Sequence, residues 1–142
     1  MRYLIGIDPG VKTGFAIYDR TEKEFIYLDT LDFWNAITMI AHFKMQVGIS
    51  YFKVIIENPN LNRPTFNRNQ NARSNTRISQ NVGQNKRDAS LLIDFCKREG
   101  IEVQEIKPTA SKKNAKFFSQ ITGYKGRCSQ HARDAALLCW NR

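Results

Sequence analysis

A carboxylate at the end of an apolar run constrains this chain more than any other feature of its sequence. Residues 3–7 are mostly apolar, and Asp8 ends the run; Pro9-Gly10 and a second apolar run at residues 14–18 follow. Short apolar runs bounded by turn residues predict buried strands, and Pro-Gly predicts a chain reversal after Asp8. Because an unpaired buried carboxylate is costly, we expect Asp8 to bind a metal ion. A solvated turn aspartate is the simpler alternative.

The charge balance indicates the kind of partner. The chain has 142 residues and a formal net charge of +9, from 22 Lys and Arg against 13 Asp and Glu. The length predicts a single domain over residues 1–142. The positive excess indicates a nucleic acid or another polyanion as partner.

Cysteine usage and the lack of targeting patterns bear on location. Three cysteines without CxxC spacing argue against a disulfide framework and a cysteine zinc site, and they are typical of a reducing compartment. The sequence has neither a signal-peptide pattern nor an apolar run of membrane-spanning length. We therefore expect a cytoplasmic protein with no membrane partner.

The first half of the chain predicts an antiparallel meander followed by a helix and a strand. Strands are expected at residues 2–8, 14–18 and 25–28, with short connections. A helix follows, with Asp32 as its N-cap and Gly48 at its end. A fourth strand at residues 52–56 ends, like the first, in a carboxylate, here Glu57.

The second half alternates helices with one more strand. The pattern predicts a helix from near Ser79 to Gly100, a strand at 101–106, a basic helix opened by Pro108-Thr109 and ended by Gly123, and a last helix from Gln130 to about Asn141, capped by Ser129. The expected fold class is α/β: a five-stranded mixed sheet with helices on its faces.

Four polar residues form a candidate metal site. Asp8 and Glu57 meet at one sheet edge if their strands are neighbours, and His131 and Asp134, three residues apart, share one helical face. Converging carboxylates repel one another unless cations lie between them, and oxygen-rich sites with one imidazole suit Mg²⁺ or Mn²⁺. Two such ions support phosphodiester hydrolysis. Taken singly, each residue has a simpler interpretation as a surface, capping or helix-end side chain; their co-occurrence in a basic chain favours the metal site.

Two acid-free basic segments are candidate DNA contacts. In the first, residues 58–87, the part up to Asn81 has no period and predicts a long mobile loop, with a plain flexible insertion as the alternative. Its candidate phosphate contacts are Arg63, Arg68, Arg73, Arg77, Lys86 and Arg87, with Phe66 as the base-stacking candidate. The second, residues 106–133, contains Lys107, Lys112, Lys113, Lys116, Lys125, Arg127 and Arg133. We expect Trp34, Trp140, Phe117 and Phe118 to lie in the core.

Four motifs carry a family resemblance when taken in order. They are Gly6-Ile7-Asp8-Pro9-Gly10 with Gly14, Glu57, Val82-Gly83-Gln84, and His131-Ala132-Arg133-Asp134-Ala135. Together they resemble the RuvC-type Holliday junction resolvases of the ribonuclease H-like superfamily, over nearly the whole chain. The resemblance implies a five-stranded sheet with its first three strands antiparallel, and a nuclease with two divalent ions. It also implies a homodimer, through the helix from Val82 to Cys96, that makes paired nicks in four-way junctions and leaves 5′-phosphate and 3′-hydroxyl ends.

The resemblance also implies roles for single residues. Asp8, Glu57 and Asp134 match the family's metal ligands, and His131 matches a position that is Asp or His, as a ligand or as a group that orients or deprotonates water. Lys107 and one of Lys112, Lys113 and Lys116, here taken as Lys116, resemble basic residues near the scissile phosphate, and Lys112 and Lys113 are further DNA contacts. The family often has an aromatic residue soon after the strand-four glutamate, where this chain has Asn58-Pro59-Asn60. That departure leaves open which residue stacks on a junction base.

Two other functions compete with the nuclease. Asp8-Pro9-Gly10 with Thr13-Gly14 also resembles the phosphate loop of actin-like ATPases and sugar kinases, which need two lobes and a longer chain. We therefore expect no nucleotide cofactor. The other alternative is a catalytically silent branched-DNA-binding protein of the same fold.

Overall fold

The computed structural model describes residues 1–62 and 72–142, except for the side chains of residues 72–75. The strands are β1 (Tyr3–Asp8), β2 (Thr13–Asp19), β3 (Glu24–Leu31), β4 (Phe52–Glu57) and β5 (Val103–Ile106). The α-helices are α1 (Phe33–Val47), α2 (Ala72–Arg98), α3 (Ala115–Thr122) and α4 (Gln130–Cys139). Short 3₁₀ turns at Ile49–Tyr51 and Pro59–Leu61 flank β4.

The five strands form one mixed sheet in the order β3-β2-β1-β4-β5. The pairs β1–β2 and β2–β3 are antiparallel, and β1–β4 and β4–β5 are parallel. This confirms the expected sheet, including its antiparallel first three strands. In the β1–β4 register Ile7 pairs with Ile56, so Asp8 and Glu57 come next on neighbouring strands at the same sheet edge.

Helices cover both faces of the sheet. On one face Ile5 and Ile7 of β1 pack in a core shared with α1 and the second half of α2. On the other face Leu4 packs in a core shared with α3 and α4. Successive strand residues point to opposite faces, so a strand covered on both sides is apolar throughout. This explains the unbroken apolar run that ends at Asp8.

Two glycines let α4 lie directly on the sheet. A Cβ atom on Gly6 of β1 would lie 2.0 Å from the carbonyl oxygen of Ala135, and one on Gly14 of β2 would lie 1.9 Å from that of His131. Real Cβ atoms do not make contacts this short, so these positions accept glycine alone without a backbone shift. Ala132, Ala135 and Ala136 of α4 are fully buried against the sheet, and their small side chains permit the close approach. The close approach sets the height of His131 and Asp134 above the strand ends.

Helix α2 corrects the predicted boundary. It begins at Ala72, not near Ser79, so the predicted loop is shorter. Residues 76–84 are all exposed, and Ala89 is the first buried residue among the helix side chains that the structure describes, residues 76–98. Residues 76–84 have only Ile78 and Val82 as large apolar side chains, which are too few to reveal a helix in the sequence. Ala89 and its neighbours Leu92, Ile93 and Cys96 are buried in the chain's own core, so their side chains do not supply the dimer contacts that were expected from this helix.

Helix α3 is shorter than predicted. It begins at Ala115 with Asn114 as its N-cap, whose side chain accepts a hydrogen bond from the backbone N–H of Phe117 at 2.8 Å. Pro108-Thr109 therefore does not open the helix, and Lys112 and Lys113 precede it. An asparagine side chain that satisfies a helix N–H is a stronger start signal than an upstream proline.

The predicted caps and ends are otherwise confirmed. Asp32 caps α1, Ser129 caps α4, and Gly48, Gly100 and Gly123 follow the helices in positive-φ conformations. Helix α4 ends at Cys139, slightly earlier than expected. Gly10 does not have a positive φ; the hydroxyl of Thr13 holds the turn by donating to the Gly10 carbonyl at 3.1 Å.

Two of the four aromatic predictions for the core are wrong. Trp34 is 73% exposed and Phe117 is 42% exposed, whereas Phe118 is buried and Trp140 packs at the edge of the core on the α4 side. In α1 the buried stripe is Ala36, Ile40 and Phe43, which turns the first-turn Trp34 outward. No helix in the described part of the chain is long and apolar enough to cross a membrane.

Candidate active site

Three carboxylates from three elements meet at one edge of the sheet. Asp8 ends β1, Glu57 ends β4, and Asp134 lies on α4. Asp8 and Asp134 are buried, with 7% and 8% of their surface exposed, and Glu57 is half-buried. Their charges affect one another, since Asp8 and Asp134 both raise the pKa of Glu57. The structure therefore brings the carboxylates of Asp8, Glu57 and Asp134 towards the same end of β1 and β4, and their role as metal ligands stays a prediction.

Asp8 is paired with His131. The Nδ1 atom of His131 lies 3.1 Å from Oδ2 of Asp8. Burial raises the pKa of Asp8, the hydrogen bond from His131 and the charge of Lys112 lower it, and the charge of Asp134 raises it; the net effect is a raised pKa. Because a carboxylate only accepts, Nδ1 is the donating nitrogen, and Nε2 of a neutral imidazole is left as an acceptor.

The carboxyl group of Glu57 is strongly perturbed by its surroundings. Burial and then the charge of Asp8 raise its pKa from 4.5 to about 7, against the opposing charge of Lys112. The next residue, Asn58, is buried and ties the end of β4 to β5: its backbone N–H donates to the carbonyl of Ile106 at 2.8 Å, and its side chain donates to Glu105 at 2.7 Å. These bonds fix the backbone that carries Glu57.

Asp134 is held by two side chains. The ammonium of Lys112 donates to Oδ2 at 2.5 Å, and the amide of Gln130 donates to Oδ1 at 2.8 Å. Burial lowers the pKa of Lys112, but the hydrogen bond and charge of Asp134, with the charges of Asp8 and Glu57, raise it above its ordinary value overall. Lys112 thus pairs with Asp134 and offsets part of the negative charge of this cluster.

Arg133 fixes the segment that carries Lys112. Its guanidinium donates to the carbonyl of Lys113 at 3.1 Å, to the carbonyl of Cys128 at 2.7 Å and to the side chain of Gln130 at 2.9 Å. The segment before α3 is therefore tied to α4 by the Arg133–Lys113 and Lys112–Asp134 contacts. Arg133, counted by sequence among the basic residues of this segment, binds protein groups.

The site lysine differs from the two that the resemblance favoured. Lys107 and Lys116 are exposed, and within residues 1–62 and 72–142 neither forms an ion pair with the three carboxylates. Lys112 does, although the sequence offered it as a DNA contact and as an alternative to Lys116. Gln130 was missed. Its position four residues before Asp134, one helical turn away, is the signal that could have found it.

The candidate DNA contacts are only partly described. Arg63, Phe66 and Arg68 lie outside the described residues, as does the side chain of Arg73. Arg77 and Arg87 are exposed on α2, and Lys86 is half-buried there. The side chain of Asn60 donates to the Lys86 carbonyl at 3.1 Å, which joins the turn after β4 to α2. Lys113 lies beside the ring of Phe117, with its Nζ 5.3 Å from the ring centre.

The donor set fits divalent cations in its chemistry. Carboxylate oxygens with one imidazole are ligands that Mg²⁺ and Mn²⁺ accept, and clustered carboxylates with raised pKa values are relieved by added positive charge. Among the described residues, however, no three His, Cys, Asp or Glu side chains lie close enough together to hold a metal ion in this arrangement. One oxygen of Asp8 faces His131 and one of Asp134 faces Lys112.

Comparisons with known proteins find a likeness in structure but no matching family model or curated sequence. Among solved structures, the chain is similar to the Fowlpox virus resolvase in its complex with substrate Holliday junction DNA. The identity is 17%, the TM-score is 0.39, and the alignment covers 87% of this chain and 78% of that one. At these values the likeness carries no argument about activity, which has to follow from the site itself.

Proposed function

We propose that this chain is a metal-dependent, structure-selective endonuclease that resolves four-way junctions or related branched DNA, in the manner of the RuvC-type resolvases. The observation that carries the proposal is the convergence of Asp8, Glu57 and Asp134 at one sheet edge. In a chain of net charge +9, an anionic cluster can bind divalent cations while the surrounding positive charge binds a polyanion such as DNA.

Asp8, Glu57 and Asp134, with His131 beside Asp8, are the residues that would hold two divalent ions, Mg²⁺ or Mn²⁺. Bound there, such ions supply Lewis-acid stabilisation of the charge that develops on a scissile phosphate. The carboxylates come from rigid strands and a helix packed on glycine, so their backbone positions are fixed in advance.

The protein side chains have separable tasks in this proposal. With Nδ1 of His131 donating to Asp8, Nε2 has one of two roles: it binds a metal ion, or it orients the attacking water or accepts a proton from it. If a bound cation were to replace the Lys112 ammonium beside Asp134, the ammonium would be available to donate to a phosphate oxygen. Exposed Lys107 and Lys116, from the same acid-free segment, contact the flanking phosphates.

Paired nicks on opposed strands call for two active sites, so we propose a homodimer. We also propose, from the resemblance, that the products have 5′-phosphate and 3′-hydroxyl ends. The exposed apolar side chains of α2 that a second copy could contact are Ile78, Val82 and Leu91. Size-exclusion chromatography with light scattering checks the dimer independently of cleavage.

A second candidate is a catalytically silent branched-DNA-binding protein. One observation favours it: Lys112 already neutralises Asp134, as a structural ion pair would. Such a pair makes divalent ions dispensable for stability, and the basic surface would still bind DNA. Metal dependence separates the two candidates.

The test uses an end-labelled synthetic four-way junction with Mg²⁺, Mn²⁺ or EDTA. We expect symmetric nicks that need the metal and disappear in Asp8→Asn and Asp134→Asn, with junction binding retained. Asp94→Asn, which removes an exposed aspartate of α2, is the matched control and should cut like the wild type. Binding without nicks in either metal contradicts the nuclease and supports the silent protein. Measurement of ATP hydrolysis, expected to be nil, disposes of the kinase-like alternative.

A further inference from the structure

Phe117 is an exposed aromatic residue beside the candidate active site. It lies in the first turn of α3 and is 42% exposed, whereas the next residue, Phe118, is buried and packs against Phe25 and Tyr124. Phe118 anchors the helix to the core on the α4 side, and this anchoring turns Phe117 outward. A single exposed apolar side chain is common on protein surfaces, so exposure alone assigns no role.

The surroundings of Phe117 do indicate one. The ammonium of Lys113 lies 5.3 Å from its ring centre, and it also donates to the hydroxyl of Ser111 at 3.0 Å. A cation beside an aromatic face is the combination that proteins use for single-stranded nucleic acid, where the ring stacks on a base and the cation meets the phosphate. Nucleic acid is thus the polyanion that matches this pair.

The position of this pair relative to the carboxylates is fixed by the backbone. Lys113 directly follows Lys112, whose ammonium donates to Asp134. The Lys113 carbonyl in turn accepts a hydrogen bond from Arg133, the neighbour of Asp134 on α4. Asn114, as N-cap, then ties this segment to the backbone N–H of Phe117. Phe117 therefore follows Lys112 by five residues in a segment that these bonds hold against α4, within the acid-free residues 106–133.

We propose that Phe117 stacks on an unpaired DNA base next to the scissile phosphate. The ring's exposed area takes the base, and Lys113 takes the adjacent phosphate. The inference rests on the proposed function for its substrate. Phe117 is a base-stacking residue additional to the sequence candidate Phe66, and it lies on α3, which packs on the same face of the sheet as α4.

The test is run in EDTA, so it does not depend on cleavage. A four-way junction carries 5-iodouracil at each crossover position in turn, and ultraviolet cross-links are mapped by mass spectrometry. We expect a cross-link to Phe117 from one position. Because stacking of one base on an aromatic ring corresponds to about a 5- to 150-fold change in affinity, Phe117→Ala should weaken junction binding within that range, and Phe117→Trp should retain it.

The matched control is Trp34→Ala, which removes an exposed ring from α1 on the opposite face of the sheet and should leave junction binding unchanged. Wild-type affinity in Phe117→Ala overturns the inference, and so does weaker binding with no cross-link at Phe117, because the loss is then structural. A Phe117 cross-link in a wild type that never cuts with Mg²⁺ or Mn²⁺ supports the inference and contradicts the nuclease. A wild type that does not bind the junction contradicts both.

Discussion

Gly14 lies directly beneath the backbone of His131. A Cβ atom on Gly14 would be 1.9 Å from the His131 carbonyl oxygen and 2.3 Å from the carbonyl carbon. In the sheet, Gly14 pairs with Asp8 across the β1–β2 register, so α4 crosses the sheet at the residue that faces the candidate metal ligand. The approach of helix to strand and the approach of His131 to Asp8 are therefore set by one contact.

We expect Gly14→Ala to destabilise the fold and to separate His131 from Asp8. The added methyl meets backbone atoms, which cannot move aside as a flexible side chain can, so the helix must shift. Overpacking of this kind costs about 1–3 kcal/mol or more. Urea unfolding measures the free energy, and the junction assay should show reduced cutting even at temperatures where the variant is folded.

Gly83→Ala is the control for this prediction. Gly83 lies within α2, and a Cβ atom there meets nothing within 4 Å. Alanine in an open helical position stabilises by about 0.5–1 kcal/mol relative to glycine. Equal stability of Gly14→Ala and the wild type would show that α4 does not lie against β2 as closely as the geometry requires.

Arg133→Met is expected to release the segment before α3. The variant loses donors to the carbonyls of Lys113 and Cys128 and to Gln130, and leaves the two carbonyls without this partner. Hydrogen bonds from a charged donor contribute about 1.5–3 kcal/mol, so we expect a loss of stability in that range. Hydrogen exchange should accelerate at residues 107–114. Arg127→Met, at an exposed position nearby, is the control, and unchanged exchange in Arg133→Met contradicts the anchoring role.

Asp19 should make the fold sensitive to acid. Its carboxylate accepts from the guanidinium of Arg2 at 2.9 and 2.7 Å and from the backbone N–H groups of Thr21 and Glu22. The hydrogen bond from Arg2 is the main reason that its pKa lies below the ordinary 3.8. A carboxyl whose pKa is lowered by folding stabilises above the unfolded pKa, and that contribution disappears as pH falls through the folded value.

The measurement is urea unfolding from pH 7 down to pH 2.5. Asp19→Asn should be less stable than the wild type at neutral pH, and the difference should shrink below about pH 4, where the unfolded carboxyl takes up its proton. Asp94→Asn should follow the wild-type curve. A stability difference between Asp19→Asn and the wild type that does not change with pH contradicts the prediction.

Residues within periodic elements were predictable from the sequence. Asp8 and Glu57 each follow an apolar run, and the end of such a run marks the end of a strand. The spacing of His131 and Asp134 determines their shared helical face. The adjacency of β1 and β4, which brings the two strands' carboxylates together, was only a condition of the sequence prediction, because a strand's own residues do not specify its neighbour.

Features set by non-periodic contacts were not predictable. Lys112 lies in an irregular segment whose orientation depends on Arg133 and Asn114, so sequence could not choose it over Lys107 and Lys116. Residues 76–84 of α2 are exposed and lack the apolar stripe that would indicate a helix in the sequence. The exposure of Trp34 and Phe117 depends on the rotation of their helices about the helix axis. That rotation is set by how the whole helix packs against the core.

Lys112→Met should make the protein more responsive to divalent ions. In EDTA the variant leaves the buried carboxylate of Asp134 with Gln130 but without the ammonium, and because Lys112 is half exposed we expect a loss of about 1 kcal/mol, the upper end for such pairs. Added Mn²⁺ no longer competes with Lys112, so the rise in Tm on adding Mn²⁺ should be larger than in the wild type. Junction cutting should still slow, because the phosphate loses a donor.

Lys116→Met, which replaces an exposed lysine of α3, is the matched control and should show the wild-type rise in Tm. If Mn²⁺ raises the Tm of Lys112→Met by the same amount as that of the wild type, the Lys112 ammonium does not compete with the metal ion for its binding position.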